Sequence, residues 1–332
     1  MYLYYNERQK ETASKIKRLT RMIKVDLITG FLGSGKTTFL KRYAGYLLDS
    51  GQKIGILEND HGAVNVDMLL LHELEEAGCG LDMVAGACDA DCHKRRFKTK
   101  LIALGMSGYD RVLIEPSGVF DIDEFFDVLY EEPLDRWYEI GSVIAVIDAK
   151  PEENLSPAAT YLLASQAANA GSVVLSKTQL CTASDVESTV AHIDAALNSI
   201  GCRRSIKDAV IAKDWDSLDS EDFEKIKNSG WVSESFTKRG TTDDIGFSSH
   251  YILNRAYTAQ QLKEKTRAVF KDTACGKVFR VKGFTRDGDG WLELNATADN
   301  FSLRHTPCGQ DIIIVIGEAL AADEIDRVFK EE

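Results

Sequence analysis

The sequence predicts an α/β protein: a mostly parallel β-sheet flanked by helices, followed by a smaller α+β domain. Three observations predict this fold class. Short apolar runs alternate with helix-length segments over the first two thirds of the chain, and strands that alternate with helices form parallel sheets. The first run ends in a glycine-rich turn that leads into a helical pattern. After about residue 232 the alternation stops and closely spaced strands follow.

These patterns divide the 332-residue chain into four segments. Residues 1–21 are polar and basic and form an N-terminal extension, and residues 22–232 form the first domain. Residues 233–249 are rich in Ser, Thr, Gly and Asp, which is typical of a linker. Residues 250–332 form the second domain.

In the first domain, apolar runs bounded by Gly, Asp, Asn, Pro or Lys predict the strands. They lie at 24–29, 54–57, 112–114, 143–147, 173–175 and 209–212. The spacing of Leu40, Tyr43, Ala44 and Leu47 predicts a helix over 37–48. In the second domain we expect helices at 262–270 and 321–329, with strands at 277–283, 291–295 and 312–316.

Composition limits the partners and the compartment. The formal net charge of −12 disfavours nucleic acid as a partner, because a phosphate backbone would be repelled. No apolar run is long enough to span a membrane, and the N-terminus lacks a signal-peptide core. We therefore expect a cytoplasmic protein without a membrane partner. In a reducing compartment, the seven cysteines favour metal or redox chemistry over disulfides.

The glycine-rich turn is the strongest functional signal. Residues 30–37 match G-x-x-x-x-G-K-[ST], between a predicted strand and a predicted helix. Small residues let backbone N–H groups turn toward phosphates, and the helix N-terminus attracts the same anion. The predicted nucleotide-binding residues of this loop are Gly30, Gly33, Ser34, Gly35, Lys36, Thr37 and Thr38.

A magnesium partner is expected at the end of another strand. The apolar segment Arg111 to Glu115 runs into Pro116, Ser117 and Gly118. We predict that the Glu115 carboxylate and the Thr37 hydroxyl face magnesium. Gly118 would lie in a loop that senses the outermost phosphate.

Taken together and in their order along the chain, these motifs resemble those of one group of P-loop GTPases, which is named for a glutamate in its third G motif. Within that group they are similar to the CobW-like metallochaperones (the CobW/HypB/UreG class). The segments that carry the resemblance are the phosphate loop, 59–62 (Asn-Asp-His-Gly), 115–118 (Glu-Pro-Ser-Gly), 146–149 (Val-Ile-Asp-Ala), 279–284 and 314–317.

The resemblance implies a P-loop NTPase fold, GTP with Mg²⁺, and catalytic roles for Lys36, Thr37, Asp60 and Glu115. It also implies that nucleotide hydrolysis releases the loops around Asp60 and Gly118, and that a transition metal then passes to a client metalloprotein. A homodimer is left open.

The sequence departs from the family pattern at the metal motif. The family has a C-x-C-C cluster between the second and third predicted strands, whereas Cys88 and Cys92 stand four residues apart here. On a helix these two thiols would share one face, and Cys79 or His93 would extend the set. Soft thiolates suit Zn²⁺ and similar ions, and Co²⁺, Ni²⁺ and iron stay open.

The base motif departs as well. The family reads N-K-x-D, and this chain has Ser176-Lys177-Thr178-Gln179. A carboxylate accepts two N–H bonds from guanine, whereas Gln179 offers one acceptor and one NH₂ donor group. The resemblance favours GTP, with ATP as the alternative.

Two other functions fit the same motifs. A P-loop kinase for a small molecule would use the phosphate loop, although no lid or acceptor-binding signature is evident. A nucleotide-gated binding protein would use nucleotide to control partner binding, with negligible turnover and no transition-metal cargo.

Overall fold

The computed structural model describes residues 22–59, 71–84, 90–118, 122–150, 155–234, 247–288, 290–306 and 309–330. Seven strands form the first sheet: β1 (Ile23–Thr29), β2 (Ile54–Asn59), β3 (Gly80–Val84), β4 (Arg111–Pro116), β5 (Tyr138–Asp148), β6 (Ser172–Ser176) and β7 (Val210–Ile211). Their order is β3-β2-β4-β1-β5-β6-β7, and every pair is parallel. The predicted parallel α/β architecture is confirmed.

Within the described ranges, seven α-helices accompany this sheet: α1 (Lys36–Asp49), α2 (His72–Glu76), α3 (Ala90–Met106), α4 (Ile122–Leu129), α5 (Pro157–Ala168), α6 (Ala183–Ser199) and α7 (Ser220–Lys227). Two apolar cores lie on opposite faces of the sheet. One holds Phe39 and Leu40 of α1 and Ile226 of α7. The other holds side chains of α3 to α6, such as Phe97 and Phe125. No helix in the described part of the chain is long and apolar enough to cross a membrane.

The topology brings the predicted functional segments to one edge of the sheet. β1 lies at the centre, between β4 and β5. All seven strands run the same way, so their carboxyl ends share an edge, which is where such sheets bind ligands. The phosphate loop follows β1, residues 117–118 follow β4 and residues 177–179 follow β6.

A polar network is buried beneath α1, away from this edge. Asp26 is fully buried and pairs with Arg111. Its carboxylate also accepts hydrogen bonds from the Tyr43 hydroxyl (2.7 Å) and the Ser142 backbone N–H (2.8 Å). Burial raises the pKa of the Asp26 carboxyl, and Arg111 opposes that shift. The network joins α1 to three strands.

The second sheet is antiparallel. Its strands are β8 (Phe247–Leu253), β9 (Lys277–Asp287), β10 (Gly290–Ala296), β11 (Phe301–Thr306) and β12 (Ile312–Glu318), in the order β11-β10-β9-β12-β8. Helices α8 (Ala259–Lys271) and α9 (Ala322–Lys330) belong to the same part of the chain. Both supply side chains to a core with Ile313 and Val315. The predicted smaller α+β region is confirmed.

Three described strands are missing from the sequence prediction: β3, β8 and β11. Each lies at the edge of its sheet, where half-buried strands mix polar with apolar residues. Phe247, Ser248 and Ser249, at the end of the predicted linker over 233–249, pair with β12 as part of β8. Their Ser-rich composition is typical of a linker, but an exposed edge strand tolerates it. Residues 1–21 and 235–246 lie outside the described residues, so the four predicted segments stay predictions.

Candidate functional site

The phosphate loop joins the central strand to α1. Gly30 has φ +146°, and a Cβ there would lie 2.1 Å from the backbone oxygen of Val146. Gly35 caps α1 in a left-handed conformation with φ +99°. Both positions demand glycine, because a side chain would be strained or would clash. The loop therefore passes directly over β5 before it enters the helix.

The first turn of α1 carries the two polar side chains of the motif. Lys36 is only 5% exposed, and Thr37 donates its hydroxyl hydrogen to Glu115 Oε1 at 2.8 Å. Glu115 is itself buried at the end of β4. The structure thus brings together Thr37 and Glu115, which lie 78 residues apart in sequence. Thr38, beside them on α1, is exposed.

A second carboxylate, which the sequence patterns did not predict, lies beside Glu115. Glu58 of β2 is buried and stands in register with Glu115 of β4. Residues two apart on a strand share a face. Glu58 lies two residues after Ile56 on β2, and Glu115 lies two residues after Leu113 on β4. Both Ile56 and Leu113 belong to the core beneath α1. The two carboxylates therefore project toward the helix that carries Thr37. A glutamate directly after the apolar run 54–57 was the available signal.

Gly118 packs directly on the phosphate loop. A Cβ at Gly118 would lie 2.6 Å from the backbone nitrogen of Leu32. The Gly118 carbonyl oxygen accepts a hydrogen bond from Gln166 Nε2 at 3.1 Å, and the Ser117 N–H donates to the Asn59 carbonyl at 2.8 Å. The loop after β4 is thus tied to β2, to α5 and to the phosphate loop. Asp60 lies outside the described residues.

The base-side residues follow β6. Ser176 is buried and stands in register with Asp148 of β5. Lys177 adopts a left-handed backbone conformation with φ 58°, and its ammonium group pairs with the Asp148 carboxylate. Gln179 is exposed in the turn that follows. Lys177 is therefore held at the sheet edge by a carboxylate of the neighbouring strand.

The side chain of Trp215, which the sequence patterns also did not predict, packs beside these residues. Its indole N–H donates to the Leu175 carbonyl at 2.9 Å. A Cβ on Gly35 would lie 3.1 Å from its ring and 3.7 Å from the Cβ of Ser176. The ring thus lies against both the phosphate loop and the end of β6. Trp215 belongs to no motif, so no local spacing predicted it.

The candidate transition-metal residues separate in the structure. Cys92 is half-buried and His93 is buried, both in the first turn of α3. Cys79 precedes β3, whereas α3 follows it, so the length of the strand, roughly 16 Å, lies between them. Burial raises the pKa of the Cys79 thiol to about 12, which disfavours the thiolate that binds metal. Cys88 lies outside the described residues.

No group of three or more His, Cys, Asp or Glu side chains suited to a metal occurs among the residues that the structure describes. Cys79 forms no disulfide with another described cysteine. Cys92 and His93 lie next to each other, so they stay candidate ligands of one metal ion. The position of Cys79 at the other end of β3 argues against it as a further ligand of that ion.

Comparison with known proteins decides the family. The family model for the CobW/HypB/UreG nucleotide-binding domain matches residues 24–202, more than half of the chain. This chain belongs to the CobW/HypB/UreG family. The match covers the phosphate loop, Glu58, Glu115, the Cys88 segment and the base-side residues, so the two departures lie inside a domain of this family.

Three curated relatives are similar to the chain. The zinc chaperone YeiR of Escherichia coli K12 is 31% identical over 130 residues, which cover 39% of this chain and 38% of that protein. The zinc chaperone YjiA of the same organism is 29% identical over 183 residues, 52% of this chain and 55% of that protein. The zinc-regulated GTPase metalloprotein activator 1 of Dictyostelium discoideum is 27% identical over 327 residues, 83% of this chain and 66% of that protein. The chain thus spans between about two fifths and two thirds of the length of these relatives.

The close approach of Gly118 to Leu32 leads to a first prediction for this CobW-family site. Gly118→Ala is expected to push the phosphate loop or the loop after β4 out of position. A displacement near 1 Å lowers rates by on the order of a hundredfold, so GTP hydrolysis should fall by about that factor. Phosphate release at saturating nucleotide measures it.

Gly45→Ala is the matched control, because Gly45 lies within α1 and a Cβ there meets nothing within 4 Å. It should leave hydrolysis unchanged and add roughly 0.5–1 kcal/mol of stability. Equal hydrolysis rates for Gly118→Ala and the wild type would contradict the tight packing.

Proposed function

We propose that this protein binds and hydrolyses GTP with Mg²⁺ and uses the nucleotide state to control delivery of a transition metal to a client metalloprotein. The contact between Thr37 and Glu115 carries the proposal. It joins the hydroxyl of the phosphate-loop motif to a buried carboxylate at the mouth of that loop. Such a pair is what a magnesium–triphosphate complex requires in P-loop NTPases.

The donor atoms here fit magnesium. Mg²⁺ prefers oxygen ligands and is usually held by one or two carboxylates together with phosphate oxygens. The Thr37 hydroxyl and the Glu115 carboxylate would hold it, with Glu58 beside them on the same face. Bound magnesium neutralises charge on the transferring phosphoryl group. Lys36 would add a positive charge at the outer phosphates, and family resemblance assigns a catalytic role to Asp60.

GTP is the proposed nucleotide. The family resemblance supports it, as does the name of the Dictyostelium discoideum relative, a zinc-regulated GTPase. Lys177, held by Asp148, would lie along the base, with Ser176 and Gln179 beside it. Because Gln179 cannot accept both guanine N–H bonds, we expect weaker discrimination against ATP than a carboxylate would give.

Zinc is the proposed cargo. Two of the relatives are named zinc chaperones, and thiolate with imidazole is a common ligand set for Zn²⁺. Cys88 and Cys92 would bind it, with His93 as the nearest further donor. Cobalt and nickel would occupy the same ligands under other conditions. A client metalloprotein and a cytoplasmic location complete the proposal.

Zinc binding tests the cargo. The Cys88→Ala/Cys92→Ala variant is expected to bind zinc at least on the order of a hundredfold more weakly than the wild type, because it loses both thiolate bonds. Competition against a chromophoric chelator, with GTP analogue and magnesium present, measures the affinity.

Cys79→Ala is the control, since it also removes a cysteine but lies at the other end of β3 and carries a thiol of raised pKa. It should keep the wild-type affinity. If the double variant binds zinc as tightly as the wild type, this ligand assignment is wrong. If the wild type binds no transition metal, the cargo proposal is wrong.

A further inference from the structure

The second sheet has two apolar faces. Along β12, Ile313 and Val315 point into the core that α8 and α9 cover. The alternate residues Ile312, Ile314 and Ile316 are also buried, at 1%, 2% and 8% exposure. An antiparallel sheet with one solvated face would show polar residues at these alternate positions. Something in the structure must therefore cover the second face.

The phosphate loop covers it. Leu32 lies in one apolar cluster with Ile312, Ile314, Ile316 and Phe284. Leu32 also meets Gly118, whose Cβ position lies 2.6 Å from its backbone nitrogen. A single side chain of the phosphate loop thus stands between the loop after β4 and the second sheet.

Phe31 forms the second contact of the loop with this sheet. Its ring packs edge-to-face on Phe247 of β8, with centroids 5.8 Å apart, and on Phe279 of β9, 5.4 Å apart. The rings of Phe247 and Phe279 also contact each other, and Lys277 Nζ lies 4.9 Å from the centroid of Phe279. This geometry is the favoured one for aromatic pairs.

A third contact comes from the turn between β10 and β11. A Cβ on Gly33 would lie 2.8 Å from Thr297 Cγ2. Thr297 and Asn300 exchange backbone hydrogen bonds of 2.8 and 3.3 Å, which hold the turn tight. Three successive loop residues, 31 to 33, therefore each touch the second sheet or its turn. Outside the loop, the hydroxyl of Ser156, the N-cap residue of α5, donates a hydrogen bond to Glu318 at the end of β12.

These contacts act on the loop whose backbone is predicted to bind phosphate. The motif leaves residues 31 and 32 unspecified, and backbone N–H groups of the loop cradle the phosphates. Here the side chains of Phe31 and Leu32 are packed against β8, β9 and β12. The orientation of the N–H groups then depends on the second sheet.

We infer that the second sheet is a positioning element of the nucleotide site: Phe279, Phe247 and Thr297 hold residues 31–33 in the conformation that binds phosphate. The inference rests on the proposed function in that the loop binds a nucleoside triphosphate. Linkage is reciprocal, so the nucleotide also tightens the packing of β8 on the loop. The nucleotide state thereby reaches the second sheet directly through the phosphate loop.

Two substitutions on the second sheet test it, and neither changes a residue of the nucleotide site. Phe279→Ala removes the ring under Phe31, and Thr297→Trp forces a larger side chain against Gly33. Each is expected to weaken binding of a fluorescent GTP analogue with magnesium at least about fivefold, the lower end of ordinary coupling between sites. Phe279→Tyr, which keeps the ring, should restore the affinity.

Two matched control variants carry the same kinds of substitution at other positions, so they test whether the position causes the effect. Phe270→Ala also removes a half-buried ring of the second region, but one that packs against the α8 and α9 core. Ala298→Trp also enlarges the turn, at an exposed neighbouring position. Both should bind the analogue within about twofold of the wild type, as surface and remote substitutions do.

Hydrogen exchange measures whether nucleotide binding is coupled to β8, which a loss of stability in a variant would not by itself reveal. Adding the analogue with magnesium should slow exchange of the β8 amides in the wild type and in Phe270→Ala, but not in Phe279→Ala. Folded Phe279→Ala and Thr297→Trp proteins that bind as the wild type does would overturn the inference and leave the proposed function intact. A wild type that binds no purine triphosphate would instead overturn the proposed function.

Discussion

Replacing Glu115 with glutamine is expected to lower magnesium-dependent GTP hydrolysis by on the order of a hundredfold or more, the scale at which losing one preorganised electrostatic group affects catalysis. The amide keeps the shape of the side chain and can still accept from Thr37. It loses the negative charge that would hold magnesium against the triphosphate. Phosphate release measured over a magnesium titration should show both a lower maximal rate and a higher magnesium requirement.

Glu139→Gln is the control for this substitution. Glu139 is an exposed glutamate at the amino end of β5, 3.0 Å from Lys24, and therefore far from the carboxyl edge. It should hydrolyse GTP at the wild-type rate. Glu58→Gln asks whether the second buried carboxylate shares the role, and a raised magnesium requirement would indicate that it does. Wild-type hydrolysis by Glu115→Gln would remove Glu115 from the magnesium site.

Replacing Arg111 with leucine is expected to lower the free energy of unfolding by about 3–5 kcal/mol, because it leaves a buried carboxylate without its charged partner. Asp26 is fully buried and accepts hydrogen bonds from Arg111, Tyr43 and Ser142. Urea denaturation followed by circular dichroism measures the change through the transition midpoint.

The exposed ion pair between Lys24 and Glu139 provides the comparison. Its side chains are 37% and 44% exposed, and such pairs contribute no more than about 1 kcal/mol. Lys24→Ala should therefore shift the midpoint only slightly. If Arg111→Leu and Lys24→Ala lower the free energy of unfolding by similar amounts, then Asp26 without Arg111 becomes protonated or hydrated at little cost in stability.

Much of the first region follows from local patterns. Apolar runs bounded by turn residues predicted six of its seven strands, because a strand buried on both faces must be apolar throughout. Edge strands are not predicted by this rule, because they are not buried on both faces. β3 and β11 carry polar residues on a half-exposed face, and β8 begins within a Ser-rich segment. Their place in a sheet depends on partners that a local window does not contain.

The site divides in the same way. Gly30, Gly35, Lys36 and Thr37 lie within eight residues of one another. The backbone of one loop requires the two glycines, and the two polar residues follow at a fixed spacing, so a local pattern alone predicted all four. Glu58 was missed because its role depends on register: only the pairing of β2 with β4 sets it beside Glu115. Trp215 was missed for the same reason, since only folding brings it to Gly35 and Ser176.

Patterns among neighbours along the chain were enough to predict the parallel α/β domain, which the strand order confirms. They also predicted a phosphate loop and a strand-terminal carboxylate for magnesium, which stay predictions, and they showed the departures from the family motifs at Cys88 and Gln179. Long-range packing was needed to place Glu58 beside Glu115, to set Cys79 away from Cys92, and to pack Phe31 and Leu32 on the second sheet. These depend on strand order and on which face of a sheet is covered. Both are settled by burial of apolar surface across distant segments, which no local spacing encodes.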